Sequence, residues 1–375
     1  MITLIKNGMV VRDDFCGFCK RDIVIRDDRI TDENADVADK IIDAKGKYIL
    51  PGLIDIHTHG YVGTLFADDI DFTPALTAFA RAGVTGIAAT VGVAPIESMK
   101  KSISHIVSES GRAPDGASIY AKHLEGPFVS SKKTGSMRTP DACPSVEALS
   151  LLADESDGLL RVMTIAPEVE NAVEIIREGR RRGIRMSIGH TLASHDETSA
   201  AIDAGAFGAT HLFNAMRPLS HRETGVLGAL LTDDRVSCEL ICDLVHVSAP
   251  IIKLALTCKG RDGVVLVSDC GAQSGLGDGV YTVAGITRYV KDGVCTLADG
   301  TISGSTRNLA DGARNLVALG VPLCDVSKMG SYNPARALGI DSEVGTVTAG
   351  KIADIIITDE SFNVERVFVR GREFV

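Results

Sequence analysis

Six residues of this chain carry side chains able to bind a metal ion or move a proton, and each falls where an apolar run ends. His57 and His59 stand two apart in Asp55-Ile-His-Thr-His-Gly60. That spacing puts both imidazoles on one side of a strand, where they can share an ion. Glu125 closes a run in His123-Leu-Glu-Gly-Pro127, His190 closes Ser187-Ile-Gly-His190, His211 follows Ala209-Thr210, and Asp269 ends Leu266-Val-Ser-Asp269. Singly, each histidine reads as a hydrogen-bonded core residue, and the Glu before Gly-Pro as a turn stabiliser. Together they place four histidines and two carboxylates at five strand ends facing one mouth. Burying so many polar groups without a compensating ion is costly, so the pattern points to a metal centre.

Histidine and carboxylate ligands without thiolate suit Zn or Fe, with Co, Ni and Mn as further candidates, and leave a position open for water. Glu125 can bridge two ions, one beside His57 and His59 and the other beside His190 and His211, so the expectation is one or two divalent ions per chain. Asp269 is then the expected general base toward a water that the metal acidifies. His123 also faces inward and is assigned a supporting place behind the ligands, whereas His105 and His195 fall on helical stretches and are expected to face solvent. For an anionic ligand, Arg222 offers a guanidinium fork and His246, in Asp243-Leu-Val-His246, a natural partner. Asn214 and the backbone N–H of Ala215 add neutral donors.

Such a mouth needs a scaffold of parallel strands. Strand patterns over Tyr48–His57, Thr85–Thr90, Ile119–Glu125, Arg161–Ala166, Arg185–His190, Ala209–His211, Val236–Ile241 and Val264–Asp269 alternate with amphipathic helical stretches such as Thr73–Ala82, Val169–Arg182, Ser194–Ala204 and Ala249–Thr257. Eight strands with intervening helices predict an α/β fold, a (β/α)8 TIM-type barrel spanning residues 51–344. A doubly wound open sheet lacks its phosphate fingerprint after the first strand. Residues 1–50 and 345–375 carry short alternating runs at both ends, which predicts one small β-sandwich domain built from both termini. Gly275-Leu-Gly-Asp-Gly279 reads as a mobile loop after the eighth strand.

The chain has 375 residues, 45% of them hydrophobic and 23% charged, ample for a folded core. Its net charge of −10 repels nucleic acid and anionic membranes, so no partner of either kind is expected. No apolar run approaches the ~20 residues of a spanning helix, and the start lacks a signal-peptide profile. Nine scattered cysteines predict reduced thiols and a cytoplasmic location, and Cys16-x-x-Cys19 reads as a loop with two free thiols.

At this point the motifs resemble the amidohydrolase superfamily and, within it, the N-acetylglucosamine-6-phosphate deacetylases. The resemblance rests on Pro51-Gly-Leu-Ile-Asp-Ile-His-Thr-His59, His123-Leu-Glu-Gly-Pro-Phe128, Ser187-Ile-Gly-His-Thr191, Thr210-His-Leu-Phe-Asn-Ala-Met216, His221-Arg-Glu223, Leu266-Val-Ser-Asp269, Gly300-Thr-Ile-Ser-Gly-Ser305 and Asn333-Pro-Ala-Arg336. It implies that Glu125, His190 and His211 hold the principal metal, that the His-x-His of the first strand allows a second, and that Asp269 is the acid/base. It implies amide hydrolysis of an amino-sugar phosphate in amino-sugar catabolism or recycling. Substrate contacts are implied for Asn214, Ala215, Arg222, His246 and the Ile302-Ser303-Gly304 backbone, with Arg222 reaching across the interface of a homodimer.

One departure stands out. After Lys132-Lys-Thr-Gly135 the family has a small residue then a His that touches the sugar, and here Ser136 and Met137 occupy those places. A deacetylase of the galacto epimer is therefore a rival reading. A cyclic-amide hydrolase would carry a lysine at the end of the fourth strand, which here reads Thr164-Ile-Ala-Pro167. A non-catalytic assembly protein would have lost its ligands, and this chain keeps them.

Overall fold

The computed structural model describes residues 1–33, 37–112 and 115–375. Eight parallel strands form the centre: Leu53–Thr58, Val84–Val91, Ser118–Glu125, Leu160–Ile165, Arg185–Ile188, Gly208–Ala209, Ser237–Ile241 and Val264–Val267. Each pairs with the next in the order of the chain. The ring closes where the eighth strand returns to the first, with Asp269 N–H donating to His57 O at 2.9 Å and Ser268 N–H donating to Asp55 Oδ1 at 3.2 Å. A helix follows every strand: Thr73–Arg81, Ile96–Ser110, Val146–Asp154, Ala172–Arg181, His195–Ala204, Gly225–Thr232, Ala249–Lys259 and Leu309–Ala318. This is the expected barrel.

Its local causes are visible in the sequence. Strands covered on both sides read as apolar runs, and Val84–Val91 and Val264–Val267 are buried throughout. Ala172–Arg181 buries Ala172, Ile175, Ile176 and Gly179, while its arginines and glutamates ride outside. A Cβ at Gly179 would lie 2.4 Å from Met186 Sδ, so glycine lets the helix close on the fifth strand. Ser194 and Glu197 form a capping box that starts the next helix.

The two chain ends meet. Ile355–Thr358 lies antiparallel to Tyr48–Pro51 in a six-stranded sheet that also contains Val364–Val369, Arg372–Glu373, Met9–Val11 and Phe18–Lys20. A four-stranded sheet of Arg29–Thr31, Ile23–Arg26, Ile2–Lys6 and Lys40–Asp43 accompanies it. Ile5, Val10, Ile25, Ile49, Ile355 and Phe368 bury their side chains in the core.

Three expectations need correction. The glycine-rich stretch after the eighth strand is turn and loop only as far as Asp278; at Gly279 it enters a three-stranded antiparallel sheet, Gly279–Val283, Ile286–Lys291 and Val294–Thr296. His105 does not face solvent: it is half-buried, with Nε2 2.8 Å from Ile70 O and Nδ1 2.9 Å from Asp69. Cys16 is free and exposed in a turn, but Cys19, also free, sits on a strand. Among the described residues, no helix is long and apolar enough to cross a membrane.

Candidate metal centre

The first, third, fifth, sixth and eighth strands deliver their polar ends to one point. Glu125 Oε1 lies 2.9 Å from both His190 Nε2 and His211 Nε2, and those two nitrogens are 3.0 Å apart. His57 Nε2 is 3.4 Å from the same oxygen, and His59 Nε2 is 3.1 Å from Glu125 Oε2. Asp269 Oδ1 stands 3.6 Å from His57 Nε2 and 3.4 Å from His59 Nε2. Ligands on a tetrahedral ion with bonds of ~2.0–2.1 Å sit ~3.3 Å from one another. Both His57–His59–Glu125 and Glu125–His190–His211 have the spacing of such a set.

The residues fit a divalent ion on independent grounds. His57 Nε2 is buried and has no hydrogen-bond partner, although it points between two carboxylates. Its other nitrogen is 2.9 Å from Glu239 Oε2, which orients the ring and, once the imidazole is neutral, keeps the proton on Nδ1 and leaves an Nε2 lone pair facing inward. His190 is held the same way, with Nδ1 donating to Lys133 O at 2.6 Å. The family of groups is a divalent-metal site by donor type and arrangement.

Charge balance explains the titration of the cluster. Burial raises Glu125, but the neighbouring His190 and His57 outweigh it and hold the carboxyl well below the usual range. Burial likewise pushes Asp269 up, and the His59 hydrogen bond with the charge of His57 brings it down to about 2. Conversely, burial lowers His59 and the two carboxylates raise it to about 9; His57, between Glu125 and Glu239, rises well above its ordinary value. His123 is driven well below by burial and by His57, so it is neutral. Its Nδ1 donates to Ile56 O at 3.1 Å and its Nε2 accepts from Thr164 Oγ1 at 2.9 Å, beneath the cluster.

The turns that aim these groups are strained. His190 (φ 50°), His211 (φ 30°) and Asp269 (φ 53°) are left-handed without being glycine. Each such residue costs ~1–3 kcal/mol, offset here by bonds such as His211 N–H to Glu239 Oε2 at 3.2 Å and Asp269 N–H to His57 O. The reversal ends the strand and swings the side chain into the mouth.

The remaining expected site residues divide into three groups. Around the cluster, Asn214 donates to His211 O at 3.2 Å, Ala215 is left-handed at φ 50°, and His246 Nδ1 is 2.8 Å from Asp243 Oδ2. Asp243 is held at about 2 because the His246 pairing overcomes its burial, and it also accepts from Ser305 Oγ at 2.8 Å. In the 302–304 strip Ile302 is exposed and Ser303 buried; a Cβ at Gly304 would lie 2.9 Å from Asp269 O, so the strip lies directly on the Asp269 turn. In the loop after the third strand, a Cβ on Gly135 would be 3.4 Å from His190 Cε1. One on Gly92 would be 3.3 Å from Met137 Sδ and 3.6 Å from His59 Cε1, which puts Met137 at the rim beside His59, one residue from Ser136. Arg222 is not brought in: it is exposed and has no hydrogen bond or ion pair among the described residues, while neighbouring Arg217 pairs with Glu223 at 2.7 Å.

Comparison with known proteins agrees with this geometry. The sequence profile of the amidohydrolase family matches residues 48–374. The chain belongs to the amidohydrolase family. It is similar to an N-acetylgalactosamine-6-phosphate deacetylase of Escherichia coli O157:H7, 34% identical over 88% of this chain and 89% of the relative. It is 35% identical to an N-acetylglucosamine-6-phosphate deacetylase of Bacillus subtilis (strain 168), over 86% and 83%. A solved mutant N-acetyl-D-glucosamine-6-phosphate deacetylase from Mycobacterium smegmatis, in complex with N-acetyl-D-glucosamine-6-phosphate, superposes with a TM-score of 0.91 at 31% identity, covering 100% of this chain and 99% of that one.

Two groups of this amidohydrolase were missed in the sequence. Glu239 is the single charged residue in Val236–Ile241, and a lone carboxylate in a buried strand was the available signal. Asp243 lies three residues before His246, a spacing at which a turn pairs them.

Proposed function

We propose that this amidohydrolase removes the acetyl group of N-acetylglucosamine 6-phosphate, giving glucosamine 6-phosphate and acetate. The observation that carries the reading is the buried cluster in which Glu125 is shared by two histidine pairs with Asp269 beside it, in a chain about a third identical to such deacetylases over most of its length. Glu125, His190 and His211 would hold the principal ion and His57 with His59 a second, zinc or iron in either place. Bound there, the ion supplies Lewis-acid polarisation of the amide carbonyl and a water acidified toward neutrality.

The chain's own groups do the rest. Asp269, ionised at neutral pH, accepts the proton of the attacking water. As the C–N bond breaks and the water oxygen joins the acetyl carbon, Asp269 returns that proton to the departing amine nitrogen. Neutral His123 keeps the floor beneath the reacting carbonyl rigid through Ile56 and Thr164. Asn214, Ala215, His246 and the 302–304 backbone orient the sugar phosphate, and remote binding of this kind holds the amide in place for attack.

Arg222, exposed and without a partner among the described residues, completes the phosphate site of a second copy in a homodimer. We also propose a cytoplasmic enzyme, and a division of the chain into a terminal β-sandwich (1–50 with 345–375) and a catalytic barrel (51–344). The galacto epimer is the second reading, favoured by Met137 at the rim and by the Escherichia coli relative. Acetate release from both epimers, with metal analysis of the same sample, decides: faster turnover of the gluco compound is expected, and no release from either overturns the proposal.

A further inference from the structure

Arg288 breaks the pattern of the element that carries it. Along Ile286–Lys291 the side chains alternate inward and outward, and the inward set is Ile286, Arg288 and Val290. That face packs toward Val283 and Cys295, both buried. An arginine on an inward, otherwise apolar face violates the local rule for a strand, and such violations concentrate at functional sites. Even partial burial without a counter-ion is unfavourable for a guanidinium, yet half-buried Arg288 has no carboxylate partner among the described residues. Its two contacts are neutral: Nε donates to Ser303 Oγ at 2.8 Å and Nη1 to Val283 O at 3.0 Å. Nη2, with two further N–H donors, has no partner among the described residues.

The place of Ser303 gives this direction. It belongs to the 302–304 strip that lies against the Asp269 turn; the neighbouring Ser305 N–H donates to Asp269 O at 2.9 Å, and Ser305 Oγ joins the Asp243 carboxylate that holds His246. Arg288 thus grips Ser303, two residues from Ser305, which is tied through Asp243 to His246. Burial lowers its pKa, and Cys295 and then Asp269 act the other way.

We propose that Arg288 is a further substrate-binding residue, whose free Nη2 edge takes a phosphate oxygen of the amino-sugar phosphate while Nε anchors Ser303. The proposal rests on the deacetylase reading for the identity of that anion. Its physical content is a built-in cation at the mouth, supplied by the same chain, in a molecule whose net charge is −10.

The test compares wild type, R288Q and R288K as metal-loaded full-length proteins. KM and kcat are measured with N-acetylglucosamine 6-phosphate and with N-acetylglucosamine, and glucosamine 6-phosphate and glucosamine are titrated calorimetrically. Loss of one charge-assisted hydrogen bond predicts a KM for the phosphorylated substrate raised about 10- to 100-fold in R288Q, with kcat little changed. Binding of glucosamine 6-phosphate should weaken by a similar factor, the unphosphorylated compounds should be unaffected, and R288K should recover part of the loss. Equal losses on phosphorylated and unphosphorylated compounds, a loss confined to kcat, or no change at all would each overturn it. Should R288Q fail to fold, the R288K titrations decide alone, since replacing the fork by a point charge must still weaken the phosphorylated sugar selectively. A wild type that binds glucosamine 6-phosphate through Arg288 but releases no acetate would sink the deacetylase reading and leave this one standing.

Discussion

The side chains around Glu125 hold one another in charged states that a divalent ion must displace. His59 is raised to about 9 and His57 further, so at pH 7 both are protonated in the metal-free chain. Filling both places therefore expels about two protons at pH 7, and metal affinity falls as pH drops below about 9, where His59 becomes protonated. Calorimetric titration in buffers of different ionisation enthalpy checks this; a proton-neutral binding isotherm contradicts it. Asp269→Asn removes the proton carrier while leaving the histidine ligands in place, so turnover should fall about 10²- to 10⁴-fold with metal content retained. Glu239→Gln acts differently. It loosens the tautomer and aim of His57, so metal affinity at the His57–His59 place should weaken about 10- to 100-fold, read by competition with a chelator. Glu239 was hidden in the sequence because its role exists only across the barrel, 182 residues from its partner.

At the scale of elements, the strands were legible because covered parallel strands are apolar runs, and their number and order fix a barrel. The sixth is legible in place but not in extent: against the expected Ala209–His211 only Gly208–Ala209 pair as strand, because His211 turns left-handed to aim its ring. The sheet over residues 279–296 was obscured by its glycines, and Arg288 masked its alternation. Where the barrel meets the terminal sheet, buried Asp354 accepts from Tyr120 Oη at 2.6 Å and from Arg370 N–H at 2.8 Å. Burial dominates and lifts its pKa from 3.8 to about 6. Between those values the native state binds more protons than the unfolded chain, so this group's contribution to stability falls as pH rises from about 4 to 6, by about 3 kcal/mol in all. Melting temperatures of Asp354→Asn and wild type should accordingly diverge in favour of the variant as pH rises through that window; parallel curves would refute it.

For the whole molecule, the residue that matters is Arg222, which no group among the described residues of its own chain engages. If a second copy uses it, mixing inactive Arg222→Ala with inactive Asp269→Asn should restore activity, because one of the two sites in each mixed dimer then has both residues intact. Absence of rescue in dimers shown to be mixed would place Arg222 in its own chain's site. The sequence by itself determined which side chains end the strands and that those ends share one face, because alternation and helix periodicity are local properties written in neighbouring residues. Only the tertiary structure decided that Glu239 rather than a backbone carbonyl orients His57, that Met137 stands beside His59, and that Arg288 turns inward. Those are relations between atoms far apart in the chain, set by how the ring closes and how the turns strain to meet within it, and no stretch of residues read alone contains them.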